Sequence, residues 1–319
     1  MSKIVVLGGA GFIGSHIVEE LFNRGDEVKI IDNFVEGTLN NLEFVPEIPK
    51  PHMKSIYIIN GDILDYDLLV KEFKGFDYVI HHAALRSVPK SVEKPEEYNH
   101  VNIVGTFNVL KAAHECGVKR VIFASSSSIY GSTGAFPTKE ITMPHPESPY
   151  AITKLVGELY CDYFYKQFGL ETVSLRYFNV SGPRQDPTCQ YAAVIPIFIT
   201  KMANGESPII YGNGKQMRDI VYVKDVVKVN LAMLTARGVS GKVFNVGSGE
   251  TYSVNDYTEK IKTLMHSKIK PKYEDKRAGD VFKTHANIDK IKNVINFEPS
   301  PIEKWLKETI RWFTNGSNK

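Results

Sequence analysis

Tyr150 and Lys154 stand four residues apart in Tyr150-Ala151-Ile152-Thr153-Lys154, a spacing that puts a phenol and an ammonium on one face of a helix. A phenol ionises at about pH 10 in water, too high for a base at neutral pH, and a neighbouring cation favours the phenolate. The two side chains are therefore a candidate acid–base couple, although the same spacing is common on exposed helices. Upstream, Ser125-Ser126-Ser127-Ser128 closes an apolar run, Arg120–Ala124. Hydroxyls at a strand end there would face the same crevice as Tyr150 and hydrogen-bond a substrate hydroxyl. Taken alone, the serine run also reads as a polar loop.

A second chemistry sits at the other end of the chain. Gly8-Gly9-Ala10-Gly11-Phe12-Ile13-Gly14 follows one apolar run and opens a helical one. The first glycine allows a tight turn, Gly11 lets the backbone approach a pyrophosphate, and Gly14 lets the helix pack close to the strand. The helix N-terminus offers oriented N–H groups to the anion. Asp32 closes the second apolar run. A carboxylate there accepts hydrogen bonds from a ribose diol and repels a 2′-phosphate, which favours NAD over NADP. Asp62-Ile63 and Ala83-Ala84 fall where later strand ends would meet the adenine or the pyrophosphate.

These residues need a frame. Lys3–Leu7, Glu27–Ile31, Ile56–Ile59, Tyr78–His82, Arg120–Ala124 and Thr172–Arg176 read as strands. Gly14–Arg24, Asp65–Phe73, Asn102–Cys116 and Tyr150–Phe168 read as helices between them. Such alternation predicts an α/β fold, a doubly wound parallel sheet of Rossmann type, with ligands at the carboxyl ends of its strands. After Asn179 the rhythm changes. Gly182, Pro183, Pro187 and Pro196 punctuate an irregular stretch, Val243–Val246 reads as a strand returning to the sheet, and Pro301–Phe313 reads as a terminal helix. The expected organisation is an NAD-binding domain of residues 1–180 plus roughly 221–255, interleaved with a smaller substrate domain of roughly 181–220 and 256–319.

The composition narrows the function classes. Hydrophobic residues make up 43% and charged residues 24% of the 319, ordinary for a folded globular chain. Lys and Arg number 39 against 36 Asp and Glu, a net +3 that forms no basic arm, so no nucleic-acid partner is expected. The apolar run Ile4–Leu7 is cut by Gly8 and Gly9, too short for a signal peptide or a membrane span. Cys116, Cys161 and Cys189 show neither pairing nor ligand spacing, which suggests free thiols, no metal and a cytoplasmic location.

In their order along the chain these motifs resemble the extended short-chain dehydrogenases, specifically the UDP-hexose and UDP-N-acetylhexosamine 4-epimerases. The resemblance covers nearly the whole length. It rests on Gly8–Gly14, Asp32, Ser126 four residues before Tyr130-Gly131, the Tyr150/Lys154 pair, Leu175-Arg176-Tyr177-Phe178-Asn179 and Arg218-Asp219. It implies that Tyr150 is the base, Lys154 its activator, and Ser126 the hydroxyl that positions the sugar O4. The C4 hydride would pass to tightly held NAD and return to the other face of a 4-keto sugar. It also implies cofactor contacts from Gly8, Gly11, Phe12, Ile13, Gly14, Asp32, Asn33, Asp62, Ile63, Ala83, Ala84 and Tyr177, together with Tyr150 and Lys154. On the substrate side it implies Ser127 and Ser128, Asn179 and Arg218 at the diphosphate, Ala193, Val194 and Tyr211 at uracil, and Arg277 with Asp280 at the second phosphate and the ribose. Family dimers pair two long helices, so a homodimer through a four-helix bundle is expected.

Sister enzymes also begin by oxidising C4. Dehydratases of similar sequence carry an acidic pair after the hydroxyl residue, and decarboxylases usually keep a Glu at the second position. Here both positions are serines, Ser127 and Ser128, which cannot do acid–base work at neutral pH. A UDP-glucuronate 4-epimerase stays open as an alternative, because Arg86 and Lys90 could meet a sugar carboxylate; Arg86 could equally hold pyrophosphate. A non-catalytic NAD sensor is disfavoured by the presence of both Tyr150 and Lys154, and an NADP reductase by Asp32. Thr284 aligns with the family's gatekeeper, a bulky Tyr in enzymes restricted to plain hexoses, so room for a 2-acetamido group is expected.

Overall fold

The computed structural model describes residues 2–45, 56–188, 194–276 and 281–315. Short β-branched runs form β1 (Lys3–Leu7), β2 (Glu27–Asp32), β3 (Ile56–Asn60), β4 (Tyr78–His81), β5 (Arg120–Ser126) and β6 (Glu171–Tyr177). Between them lie α1 (Phe12–Asn23), α2 (Tyr66–Phe73), the short α3 (Val88–Glu93) and α4 (Pro95–Asn99), α5 (Gly105–Glu115) and the long α6 (Pro149–Phe168). The remainder contributes β7 (Asn179–Ser181), α7 (Val194–Ala203), β8 (Ile209–Tyr211), β9 (Met217–Arg218), β10 (Ile220–Tyr222), α8 (Val223–Met233), β11 (Lys242–Val246), β12 (Tyr252–Ser253), α9 (Val254–Met265), β13 (Lys272–Glu274), α10 (Asp289–Ile295) and α11 (Ile302–Asn315).

Seven strands make one sheet in the order β3-β2-β1-β4-β5-β6-β11, and every pairing in it is parallel. This is the doubly wound class the alternation predicts. The chain winds outward from β1 to β3, then restarts at β4 and winds the other way. The reversal lies between β1 and β4, where a crevice opens at the carboxyl edge. Ile17, Leu21, Val226 and Val229 of α1 and α8 cover one face. Leu69, Phe73, Val109, Cys161 and Phe164 of α2, α5 and α6 cover the other. A third cluster joins α7, α9 and α11 through Phe198, Tyr257, Trp305 and Leu306. No helix among the described residues is long and apolar enough to cross a membrane.

Helix α6 places the candidate base and is fixed at both ends. The Ser148 side chain accepts from the Ala151 N–H at 3.2 Å, Pro149 occupies the first turn, and Gly169 at φ 71° ends the helix, each where helix geometry favours it. Its middle lies very close to β5, since a Cβ on Gly157 would come within 2.3 Å of the Phe123 ring. At the next residue, the buried Glu158 carboxylate accepts two bonds from Arg176, at 2.9 and 2.7 Å, and one from the Ser125 hydroxyl. Arg176 also donates to the Tyr130 hydroxyl at 2.8 Å. A fully partnered buried pair of this kind strongly specifies how α6 seats, because leaving either charge alone costs about 3–5 kcal/mol.

Three sequence expectations shift. The fifth and sixth strands run on through Ser126 and Tyr177, because Ser125 pairs with Arg176 and Ser126 with Tyr177 across the ladder. Pro196, expected in an irregular stretch, lies in the first turn of α7, where a missing N–H costs nothing. The helix expected over Asn102–Cys116 opens as a π-helical turn, His100–Val104, before α5 begins. Replacing Gly157 with Ala should force the buried Phe123 ring aside and cost about 1–3 kcal/mol. Urea unfolding checks this, and an unchanged midpoint would show that α6 does not depend on the close approach.

Candidate active site

The carboxyl end of β5 and the first turns of α6 bring three predicted side chains together. Ser126 ends β5 and Tyr150 opens α6, and a hydrogen bond with Ser126 favours ionisation of the Tyr150 phenol. The Lys154 ammonium, 5% exposed, donates to the Ala124 carbonyl at 2.8 Å. It lies 5.9 Å from the Tyr150 ring centroid and 5.2 Å from that of Phe123. Without a bound cofactor, burial outweighs the charges around the phenol. Burial pushes Tyr150 up to about 12 against the smaller opposing effects of Ser126 and Arg86. Burial also lowers Lys154 to about 8. Ser125 leaves the crevice group altogether, its hydroxyl turned to Glu158; side chains alternate along a strand, so neighbouring serines face opposite ways. Ser127 and Ser128 follow in a short 3₁₀ turn, where the Ser128 N–H donates to the Ser126 hydroxyl at 3.1 Å. The Ser128 hydroxyl oxygen is buried with no partner among the described residues.

At the switch point the glycine-rich loop runs from β1 into α1. Gly11 is the N-cap of α1 and offers no side-chain cap, and the first turn contains no acidic residue. The opening N–H groups of α1, at Phe12, Ile13 and Gly14, have no carbonyl within the helix and suit an anion. Gly14 must lack a side chain, since a Cβ would lie 2.1 Å from the Gly8 carbonyl oxygen. Asp32, 7% exposed, accepts from the Ala10 and Phe34 N–H groups, one per carboxylate oxygen, each at 2.9 Å. A carboxylate has about four acceptor sites, so two backbone bonds leave capacity for a ribose diol. Asn33 donates to Asp62 at 2.8 Å, tying the ends of β2 and β3 together, and Ile63 is buried against Gly105. Ala83 abuts Gly8 from the β4 side, with Ala84 half-buried beside it. The Tyr177 hydroxyl lies 2.9 Å from Asn230 Nδ2 and 3.2 Å from His82 Nε2. It braces the floor between β4, β6 and α8. The arrangement fits a dinucleotide.

The candidate sugar-nucleotide side is assembled by strand ends beyond β6. Asn179 opens β7 and donates to the Asp219 carbonyl and to the Thr284 hydroxyl, both at 3.2 Å. Thr284 also accepts from the Asp219 N–H at 3.1 Å. Arg218 donates to the Met217 carbonyl at 2.9 Å. Val194 opens α7 and Tyr211 ends β8, where Tyr211 borders an open cleft with Tyr273 and Lys276. Arg86 is exposed and pairs with Glu36 at 2.7 Å. Ala193, Arg277 and Asp280 lie outside the described residues.

The family model described as the NAD dependent epimerase/dehydratase family matches residues 4–247. The chain belongs to that family. It is similar to the solved UDP-N-acetylglucosamine 4-epimerase of Methanobrevibacter ruminantium in complex with UDP-N-acetylmuramic acid, at 42% identity over 99% of both chains and a TM-score of 0.92. It is also similar to the UDP-glucose 4-epimerase of Thermotoga maritima with UDP-glucose, at 37% identity over 98% of this chain and 99% of that one, TM-score 0.91. Likeness extends to the UDP-glucose 4-epimerase of Thermus thermophilus in complex with NAD, at 33% identity, 97% and 98% coverage and a TM-score of 0.86.

For this family member, sequence reading missed several positioning residues. Asn102, in the π-helical turn, grips Leu85 through both its N–H and its carbonyl, at 2.9 Å each, and donates to Thr153 at 3.0 Å. It thereby ties the β4 loop to α6. Asp219 entered only as part of a motif, yet its buried carboxylate accepts from the Ser248 N–H and hydroxyl at 2.7 and 2.8 Å and from Ala286 at 2.9 Å. It joins the segments that carry Arg218 and Thr284. Nothing in the residue types singles out Asn102 from Asn99 and Asn108 in the same stretch; for Asp219 there was only its place beside Arg218. Replacing Tyr150 with Phe should lower kcat by about 10²–10⁴-fold, while urea stability and bound cofactor are retained. A rate within a few-fold of wild type would remove Tyr150 from the chemistry.

Proposed function

We propose that the protein catalyses NAD-dependent 4-epimerisation of a UDP-hexose or UDP-N-acetylhexosamine through a 4-keto intermediate. The observation that carries this reading is the crevice in which Ser126 and Tyr150 meet beside the buried Lys154, with serines at the two following positions. The site has a hydroxyl pair for one proton and no carboxylate at positions 127 and 128 for dehydration or decarboxylation.

In this reading the glycine-rich loop and Asp32 hold NAD. The chemistry NAD supplies when bound is a reversible hydride store, whose oxidised ring is cationic. A bound cation near the phenol would favour phenolate, adding to the activating role expected of Lys154. Ser126 orients the C4 hydroxyl, and the Tyr150 oxygen takes its proton as the C4 hydrogen leaves with its electron pair. When the 4-keto sugar has turned over, Tyr150 returns the proton to O4 as hydride is delivered to the opposite face of C4. Atoms and electrons balance with no net redox. Lys154, fixed by Ala124, supplies a buried positive field.

Substrate binding is assigned to Arg86, Ser127, Ser128, Asn179, Val194, Tyr211, Arg218 and Thr284, with Ala193, Arg277 and Asp280 from outside the described residues. Residues 1–180 and roughly 221–255 form the NAD-binding part of this proposal; roughly 181–220 and 256–319 form the UDP-sugar-binding part. Pairing of Arg86 with Glu36 compensates its charge and weighs against a sugar carboxylate as its partner. A homodimer through α5 and α6 is supported by exposed Phe107, Ile152, Leu159 and Tyr163 on those helices, apolar surface of a kind that marks interfaces when contiguous.

Wild type should epimerise UDP-N-acetylglucosamine. Thr284→Tyr should cut that activity about ten- to a hundredfold beyond whatever it costs UDP-glucose turnover, because the ring fills space the acetamido group needs. The Thr284 hydroxyl also holds Asn179, so Thr284→Val is the companion variant: it removes the bond without adding bulk, and both substrates should then lose activity equally. Comparing kcat/KM for the two sugars reads this, and equal losses in Thr284→Tyr would end the gatekeeper assignment.

A further inference from the structure

Glu36 enters neither the motifs nor the chemistry above, yet the structure gives it a specific place. It lies in the loop after β2, and Arg86 lies in the loop after β4. In the sheet these strands flank β1, so the glycine-rich loop runs between the two loops. On one side the Thr38 N–H donates to the Ala10 carbonyl at 3.1 Å, and the Asn41 amide donates to the same oxygen at 2.9 Å. On the other side the Ala83 backbone lies so near Gly8 that an added Cβ would meet it at 2.7 Å. Both loops are therefore anchored to the loop beneath. Above it they are joined a second time, by the Glu36 carboxylate accepting from Arg86 Nε at 2.7 Å. The three loops are thus linked in a closed ring of contacts. The charges of both Arg86 and Glu36 are felt at the Tyr150 phenol, which puts the ion pair toward the catalytic end of the crevice.

We propose that Glu36 is a positioning residue that holds Arg86 across the dinucleotide groove, making an ionic strap that slows release of the bound dinucleotide between turnovers. The inference rests on the reading of the groove as the NAD site and on nothing about the sugar. An enzyme that stores a hydride and returns it to the same molecule gains from a cofactor that stays bound. Both partners are partly exposed, with side-chain exposures of 47% and 34%, so the strap is a modest brake and not a lock.

The sign of one substitution separates this role from direct phosphate binding by Arg86. A carboxylate near a diphosphate is repulsive. If Arg86 simply bound phosphate, Glu36→Gln would free the guanidinium, remove the repulsion and slow NAD release. As a strap, the same substitution opens the ring and speeds release by about three- to fivefold, the size an exposed pair sustains. The measurement dilutes NAD-loaded protein into an excess of an alcohol dehydrogenase with its alcohol, whose oxidation reduces each released NAD, and follows the appearance of NADH. The exchanged pair, Glu36→Arg with Arg86→Glu, should release NAD more slowly than either single variant. Unchanged or slower release from Glu36→Gln, or an exchanged pair no slower than its singles, overturns the strap. Because sugar turnover is not read, this result stands apart from the fate of the epimerase proposal; a protein that purifies without NAD and binds none would fail that reading instead.

Discussion

Helix α6 crosses β5 at Gly157, where any side chain would collide with the Phe123 ring, and this close approach sets the rest of the site. It lets Lys154 reach the Ala124 carbonyl one turn earlier and Glu158 reach Arg176 and Ser125 immediately after. Tyr150, at the start of the same rigid helix, is carried to the strand end where Ser126 waits. Ser126 and the Tyr150/Lys154 pair, 24 and 28 residues apart in sequence, are registered by one helix–strand contact. Dense packing leaves little slack for such a seat to shift.

The electrostatics follow from that placement. Burial raises the cost of ionising the phenol and of keeping the ammonium charged, so the two move in opposite directions, to about 12 and about 8. The protein alone leaves little of Tyr150 as phenolate at neutral pH. It prepares a low-dielectric pocket in which an added positive charge acts with more force than it would in water. The chemistry is thereby coupled to cofactor occupancy. Family membership, with its dependence on NAD, agrees with a site built in that way.

Much of this was legible in the sequence because the signals were local. The glycine-rich turn with Asp32 at the next strand end, and the Tyr150/Lys154 spacing, depend only on periods of two and 3.6 residues, and the parallel sheet follows from the alternation itself. What was not legible depends on contacts between segments far apart. Ser125 and Ser126 are indistinguishable by type, and only the strand's alternation and the position of Glu158 send one to the helix and the other to the crevice. The π-helical turn at His100–Val104 shifts the helical period where the segment opens, and the glycine that follows it, Gly105, does not by itself distinguish such a turn from an ordinary helix start. The Glu36–Arg86 bridge joins loops 50 residues apart, and no periodicity encodes such a pair. The effect of burial on the phenol is not legible either, because spacing gives distance along a helix and says nothing of desolvation.

The central claim is that the C4 hydrogen leaves the sugar and comes back to it without meeting solvent. The most direct test is to equilibrate the enzyme with a UDP-sugar bearing deuterium at C4 in ordinary water, separate the two epimers by chromatography and weigh each by mass spectrometry. Full retention of deuterium in both epimers is the expected result. Its replacement by solvent hydrogen would contradict the account, because it would mean inversion through loss of a proton from carbon and not through a stored hydride.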